Sequence, residues 1–259
     1  MTSEQSRADC LRRANARFVL TMLPAVLCIV LTSLGLWPWA ALVFCVTLVV
    51  IVIGTLVPRC SLFGPLVKRQ PPGSKAPLLT IDDGPHPEHT PAILDILDRH
   101  GLKAIFFLIG DCAEKYPHLV HEIIRRGHEI ANHTQTHPAA SFWTLTPARM
   151  WDEIARCQET LTRIAPEHPP RWFRPPAGHH NAFCVLTARA IGLETLMWTA
   201  RGFDGTLTNT DSIIRRIRRK LTPDGIVLIH EGTPVCVEVT EKVAQMLAGY
   251  AAERSATIR

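Results

Sequence analysis

The chain runs to 259 residues, 47% of them hydrophobic, with 28 Lys and Arg against 23 Asp and Glu for a net charge of +5. That length holds one sizeable domain and something smaller, the charge suits a membrane surface, and no stretch resembles a nucleic-acid-binding module. The eight cysteines are scattered, with no C-x-x-C pair and no disulfide-like spacing, as expected in a reducing compartment.

The N-terminus is basic (Arg7, Arg12, Arg13, Arg17), and from there to Arg59 no residue is charged. Residues 18–37 and 40–57 are each close to the ~20 apolar residues that cross a bilayer as a helix. Pro38 lies between them, flanked by Trp37 and Trp39, residues that suit a lipid–water interface. A cleaved signal peptide fits less well, because the apolar region is too long and no small-residue cleavage site precedes a polar start. The pattern predicts a two-helix transmembrane hairpin over 18–58. Arg59, Lys68 and Arg69 follow it, so the positive-inside rule places both ends, and the domain beyond, in the cytoplasm of an inner-membrane protein. A single span with the domain outside is the alternative.

Residues 59–76 form a linker ending in Gln-Pro-Pro-Gly-Ser-Lys. From 77 to 259 the sequence alternates between strand and helix signals. Strands are expected at 77–81, 103–110, 128–131, 193–198 and 225–229. Helices are expected at 90–100, 116–126, 145–164 (opened by Thr146-Pro147), 182–191, 210–221 and 238–253. Such alternation predicts an α/β domain built on a parallel sheet or barrel, in which function sits at the C-terminal ends of the strands.

Chemistry-bearing residues collect at those ends. Asp82 and Asp83 close the first strand, and Gly84-Pro85 turn the backbone away. Adjacent side chains there project differently, so one carboxylate can hold a metal while the other faces a water. Alone, Asp-Asp-Gly-Pro is more often a surface turn. His133 and His137 follow the third strand, four apart; in a chain with twelve histidines such a pair is weak evidence alone. Two His and a carboxylate with an open position is nevertheless a catalytic metal arrangement. Arg174 precedes a rigid Pro175-Pro176 turn and can pair with an aspartate, and His230 ends the strand that carries Leu228.

Taken together, Thr80-Ile81-Asp82-Asp83-Gly84-Pro85, His133-Thr134-x-x-His137, Arg174-x-Pro176-x-Gly178 and Leu228-x-His230 resemble, in order, the motifs of the NodB-homology polysaccharide deacetylases (carbohydrate esterase family 4). The resemblance covers residues 77–232. It implies a distorted (β/α) barrel of about seven strands, with one divalent metal per chain, zinc in the first instance, on Asp83, His133 and His137. Asp82 would be the general base, oriented by Arg174, and His230 the general acid, tuned by Asp204. Leu228 would line the pocket for the acyl methyl, with Pro176 and Arg201 also at the substrate.

The sequence departs from the family pattern after the penultimate strand. Gly205 stands where tryptophan is usual and Arg201 where an aspartate is, and Ile81 replaces a common phenylalanine. Loss of the tryptophan speaks against a pocket for long polysaccharide chains. Arg201 suits an anionic group such as a sugar-lipid phosphate, or else pairs with a local acid. The basic run Arg215, Arg216, Arg218, Arg219 and Lys220 reads first as the solvated face of an outer helix, and second as an attraction to anionic lipid. The expected activity is metal-dependent hydrolysis of an amino sugar's N-acyl (N-acetyl) amide, on a lipid-linked sugar or glycolipid at the inner leaflet. The alternatives are a periplasmic peptidoglycan or exopolysaccharide deacetylase, and a catalytically silent sugar- or lipid-binding membrane protein.

Overall fold

The computed structural model describes residues 23–74 and 76–257, with side chains as far as Tyr250. The basic N-terminus and the start of the expected first span lie outside the described residues. Two apolar helices come first. α1 is described over Leu23–Ser33, and α2, Trp37–Leu56, is long and apolar enough by length and composition to cross a membrane. Gly35, at φ +73°, turns the chain between them. The thiol of Cys28 donates to the Ala40 carbonyl across the turn. Nearly all of α2 is exposed apolar surface.

The rest is a seven-stranded sheet with every ladder parallel. Its strands are β1 Leu78–Gly84, β2 Ala104–Leu108, β3 Glu129–Asn132, β4 Trp172–Phe173, β5 Glu194–Thr195, β6 Ala200–Arg201 and β7 Ile226–His230, in the order β5-β4-β3-β2-β1-β7-β6. Helices α3 His89–Arg99, α4 Gly110–Lys115, α5 Pro117–Arg125, α6 Pro147–Ile164, α7 Ala182–Ala190, α8 Thr210–Arg218 and α9 Cys236–Thr257 occupy the connections and follow the last strand. The sheet curls without closing. No ladder joins β5 to β6; instead Val67 inserts beside β5, its N–H donating to Thr195 O at 2.9 Å and its carbonyl accepting from Met197 N at 2.8 Å. The expected barrel is thus an open one. Part of the stretch read as a linker lies along its seam.

Strand alternation sorts the side chains. Leu79, Ile81, Phe106, Leu108, Val227 and Ile229 pack outward beneath the helices. Ile105, Phe107, Ala131, Ile226 and Leu228 point inward with Leu66, Val67 and Trp198. The same period turns Thr80, Asp82 and His230 to the inside.

Several boundaries differ from expectation. β1 does not stop at Ile81: Asp82 pairs in register with both Phe107 and His230, and the ladder slips only between Asp82 and Gly84. The helix expected over 116–126 is α5; the unexpected α4 precedes it, and the two are separated at Tyr116-Pro117, where proline cannot supply the amide hydrogen a continuous helix needs. The strand expected over 193–198 shrinks to Glu194–Thr195; Leu196 and Met197 go on to pair with Val67, and Leu196 to Trp198 fill the interior with their side chains. Ala200 and Arg201, read as a loop, pair with β7. Thr146 caps α6 as expected, its hydroxyl accepting from Arg149 N.

Phe107 is fully buried at the centre of the inner cluster. Phe107→Ala is expected to lower stability by ~3–5 kcal/mol through lost burial and an unfilled cavity, read from the denaturant midpoint at unchanged slope. A loss below ~1 kcal/mol would show that the inner cluster can collapse around the gap.

Candidate active site

A cavity of about 280 Å³ opens at the C-terminal ends of the strands, and Asp82, Asp83, His133, His137, Arg201, Leu228 and His230 all line it. Seven of the ten residues singled out from sequence therefore meet there. Arg174 and Asp204 stand one layer behind. Pro176 is the exception: it is buried, and the next two residues, Ala177 and Gly178, face the cavity instead. The tight turn 176–178 carries the proline ring inward and presents backbone in its place. Gly178, at φ +75°, leaves no room for a side chain, since a Cβ would collide with Trp198 and come within 3.1 Å of Pro58.

Asp82 and Asp83 part company at the bulge. Asp82 points inside, 3% exposed, and its Oδ1 accepts from Arg174 Nη1 at 2.6 Å. Arg174 is wholly buried. Nη1 also donates to Thr80 Oγ1 and Nε to Leu196 O, and the guanidinium stacks 4.0 Å from the Phe107 ring centre. Burial lowers the Arg174 pKa, against the opposing pull of Asp82. With Oδ1 committed, Oδ2 of Asp82 faces the cavity, 3.7 Å from His133 Nε2.

Asp83, at φ +73°, turns the other way. Its Oδ1 lies 3.3 Å from His133 Nε2 and 3.2 Å from His137 Nε2, and it is buried with no hydrogen-bond donor. His133 Nδ1 lies 2.8 Å from the Arg174 carbonyl. That carbonyl can only accept, so Nδ1 carries the proton and the Nε2 lone pair faces Asp83. Three lone-pair donors thus converge on one point. Ligand bonds of ~2.1 Å in tetrahedral geometry place donor atoms ~3.4 Å apart, close to the spacings here. Burial, reinforced by His133, pushes His137 down to about 4 and keeps it neutral. Burial opposes ionisation of Asp83, but the two histidines outweigh it and hold the carboxyl well below the usual range. A neutral His137 beside an ionised Asp83 is the form a divalent cation requires. The residues present fit a metal.

The loop bearing the histidines is strained and pinned. Thr134 (φ +71°) and His137 (φ +54°) both take left-handed backbone. Asn132 Oδ1 accepts from Thr134 N, Thr134 Oγ1 from His137 N, and Glu153 from Thr136. Such strain persists only where surroundings enforce it, and it gathers at functional sites.

Opposite stands His230. Asp204, 1% exposed, accepts from His230 N at 2.7 Å and from His230 Nδ1 at 3.1 Å. Burial alone would lower the imidazole pKa. The hydrogen bond and charge of Asp204, with the charges of Asp82 and Asp83, outweigh it and raise the value to about 9. A Cβ at Gly205 would stand 3.8 Å from this ring, so the space that a side chain at 205 would fill lies open above His230.

Some of the site escaped sequence reading. Trp198 and Phe203 form part of the wall, and the Arg201 guanidinium lies over both, 5.2 and 4.0 Å from the ring centres. No carboxylate comes within ion-pair distance of Arg201 among the described residues, which sets aside the local-acid reading. Glu231 sits beneath the Gly84-Pro85 turn and accepts from Thr90 Oγ1 and His86 N. Burial raises it to about 7. Its place directly after His230 was the only signal.

The family model for polysaccharide deacetylases matches residues 69–196. Over 162 residues the chain is 35% identical to a chitooligosaccharide deacetylase of Bradyrhizobium sp. (strain ANU 289), covering 62% of this chain and 73% of the relative. Over 164 residues it is 32% identical to a peptidoglycan-N-acetylglucosamine deacetylase of Bacillus cereus, covering 62% and 75%. Among solved structures it is similar to a CE4 family pseudoenzyme from Bacillus anthracis (29% identity, TM-score 0.65, 71% of this chain), of which it spans 64%. A mutant of that pseudoenzyme with restored activity aligns equally well, at 31% identity. The chain belongs to the polysaccharide deacetylase family.

The ligand set makes a direct prediction. The wild type is expected to hold about one zinc per chain after dialysis against trace zinc. His137→Ala should fall well below stoichiometry at unchanged helix content by circular dichroism; retention of a full equivalent by the variant would remove His137 from the set.

Proposed function

We propose that this protein is a metal-dependent N-deacetylase of amino sugars. The observation that carries the reading is the pairing of Asp82 with His230, which are register partners on neighbouring strands and both face the cavity beside the Asp83–His133–His137 triad. A divalent metal on that triad, when bound, would polarise the acyl carbonyl and make a water acidic enough to attack at neutral pH.

The chain's own residues would do the proton work. Asp82 Oδ2, aimed into the cavity by the Arg174 contact at Oδ1, takes the proton from the attacking water. His230 enters protonated and gives its Nε2 proton to the amine nitrogen as the C–N bond breaks. Asp204 holds the ring by Nδ1 and stabilises its charge, so the acid stays loaded through neutral pH. Leu228, pointing inward one pleat before His230, offers an apolar wall for the acyl methyl.

For the substrate we propose a lipid-linked amino sugar or glycolipid at the inner leaflet. Support comes from the uncharged 18–58 region with basic flanks, from the apolar surface of α2, and from the unpaired Arg201 at the cavity wall. The open space over Gly205 suits a bulky branched substrate better than a closely held polymer. The catalytically silent reading draws support from the similarity to a pseudoenzyme. Its weakness is the full complement of acid, base and ligands here.

Asp82→Asn is expected to keep its metal and lose turnover by ~10²–10⁴-fold. In cells expressing only that variant, mass spectrometry of extractable glycolipids should show a sugar-lipid heavier by one acyl group. A change confined to wall or exported polysaccharide would favour the periplasmic reading, and no change in any glycan the silent one. His230 acts protonated, so activity should persist through neutral pH and fall as pH rises through about 9. Asp204→Asn should draw that alkaline limb down toward the ordinary histidine value near 6.5; an unmoved limb would dissociate His230 from it. Arg201→Ala should raise KM for a phosphate-bearing substrate more than for a neutral oligosaccharide.

A further inference from the structure

The junction between α2 and the domain is a set of contacts. His180 N–H donates to Thr55 O in the last turn of α2, and a His180 ring nitrogen lies 2.9 Å from the Cys60 carbonyl. Pro58, just past the helix, lies against Gly178 in the wall of the catalytic cavity. The apolar helix therefore ends beside the mouth of the active site.

The distribution of exposed apolar side chains is one-sided. Beyond Leu62, the described residues include only three large hydrophobics that are exposed: Trp143, Phe203 and Val237. Trp143 and Phe203 follow β3 and β6, and Val237 stands in the first turn of α9 after β7, so all three lie past the C-terminal ends of strands. The loops entering the strands carry none. Asn181 Nδ2 donates to Trp143 O. The next residue, Ala182, lines a groove of about 530 Å³ with Val50, Ile51, Leu62 and Phe63. The groove beside α2 and the Trp143 segment are thus joined through Asn181.

Charge follows the same side. Arg201 and Arg216 both lie over the ring of Phe203. Neither makes an ion pair with a carboxylate among the described residues, and each guanidinium stays within ~6 Å of the ring centre. Apolar-bodied aromatics flanked by unpaired cations are the composition of a surface that meets lipid headgroups. At the other end of α2 stand Trp37 and Trp39, 71% and 61% exposed. Twenty helical residues put them ~30 Å away, the thickness of a bilayer's hydrocarbon core.

We propose that the active-site face itself lies on the bilayer that α2 spans, with Trp143, Phe203 and Val237 seated among the headgroups and the cavity opening toward the membrane. The proposal rests on the membrane reading above and adds to it a definite orientation. Substrate then enters sideways from the lipid surface, and Arg201 meets a headgroup phosphate at the depth where phosphates lie. A domain held on a swinging tether would show no such asymmetry.

The full-length protein in nanodiscs of phosphatidylethanolamine and phosphatidylglycerol, doped with a phosphatidylcholine bearing a diazirine near its headgroup, is irradiated, and the labelled peptides are mapped by mass spectrometry. Label is expected in 139–146, 201–207 and 233–240 at least ~5-fold above that in 100–103, 126–128 and 165–171. Trp143→Glu should reduce label in 139–146 while leaving the fold intact by circular dichroism. Label confined to 18–57, or equal at both ends of the domain, overturns the orientation while sparing the membrane reading. Recovery of the protein in the soluble fraction overturns both.

Discussion

The buried contact between Arg174 and Asp82 is the interaction on which the site depends. A guanidinium taken wholly out of water is costly, and the cost is offset only by close pairing. Here the partners are Asp82, Thr80 and the Leu196 carbonyl, with the Phe107 ring beneath. Removing one partner of such a pair strands a charge at a cost of ~3–5 kcal/mol. The same residue also acts through its backbone, since its carbonyl fixes the tautomer of His133. One arginine thus orders both the carboxylate that faces the cavity and the histidine beside it. It binds β1, the segment after β4 and the chain leaving β5 into one rigid wall.

Much of this was legible in the sequence, for reasons that differ by residue. Two aspartates at a strand end, two histidines four apart and a histidine closing the last strand are local patterns, and the strand–helix alternation placed them on one rim. What separates Asp82 from Asp83 is a bulge and a single positive φ, and no propensity encodes which of two adjacent carboxylates turns inward. Trp198 and Phe203 join the wall because they flank the two-residue strand β6 rather than lying in a long one, and Trp198 fills the unclosed interior. Pro176 failed as a lining residue for a similar reason: a motif position says what is required there, and a tight turn decides which neighbour is shown. Glu231 stayed invisible because its importance lies in burial alone.

The pocket is also defined by what it lacks. Gly205 leaves the space above His230 open, and Arg201 brings a cation half into the wall with no ion pair among the described residues. Desolvation lowers the Arg201 pKa against the opposing charge of Asp204, so an arriving anion would recover lost solvation. Similarity to both deacetylases and a pseudoenzyme shows how little separates the two outcomes within one fold.

The seam of the sheet has a consequence for how the molecule is made. Val67 lies a few residues past α2, yet its backbone partners, Thr195 and Met197, leave the ribosome far later. The sheet cannot be sealed until most of the chain exists, so the nascent domain must wait with an open flank. Cutting the protein just before β1, where sequence would place the boundary of the catalytic part, would not release a finished enzyme. It would uncover the amide of Met197 and the carbonyl of Thr195 along an apolar edge, the kind of unpaired strand that sticks to its own copies. The segment around Val67 and the sheet it seals are one folding unit.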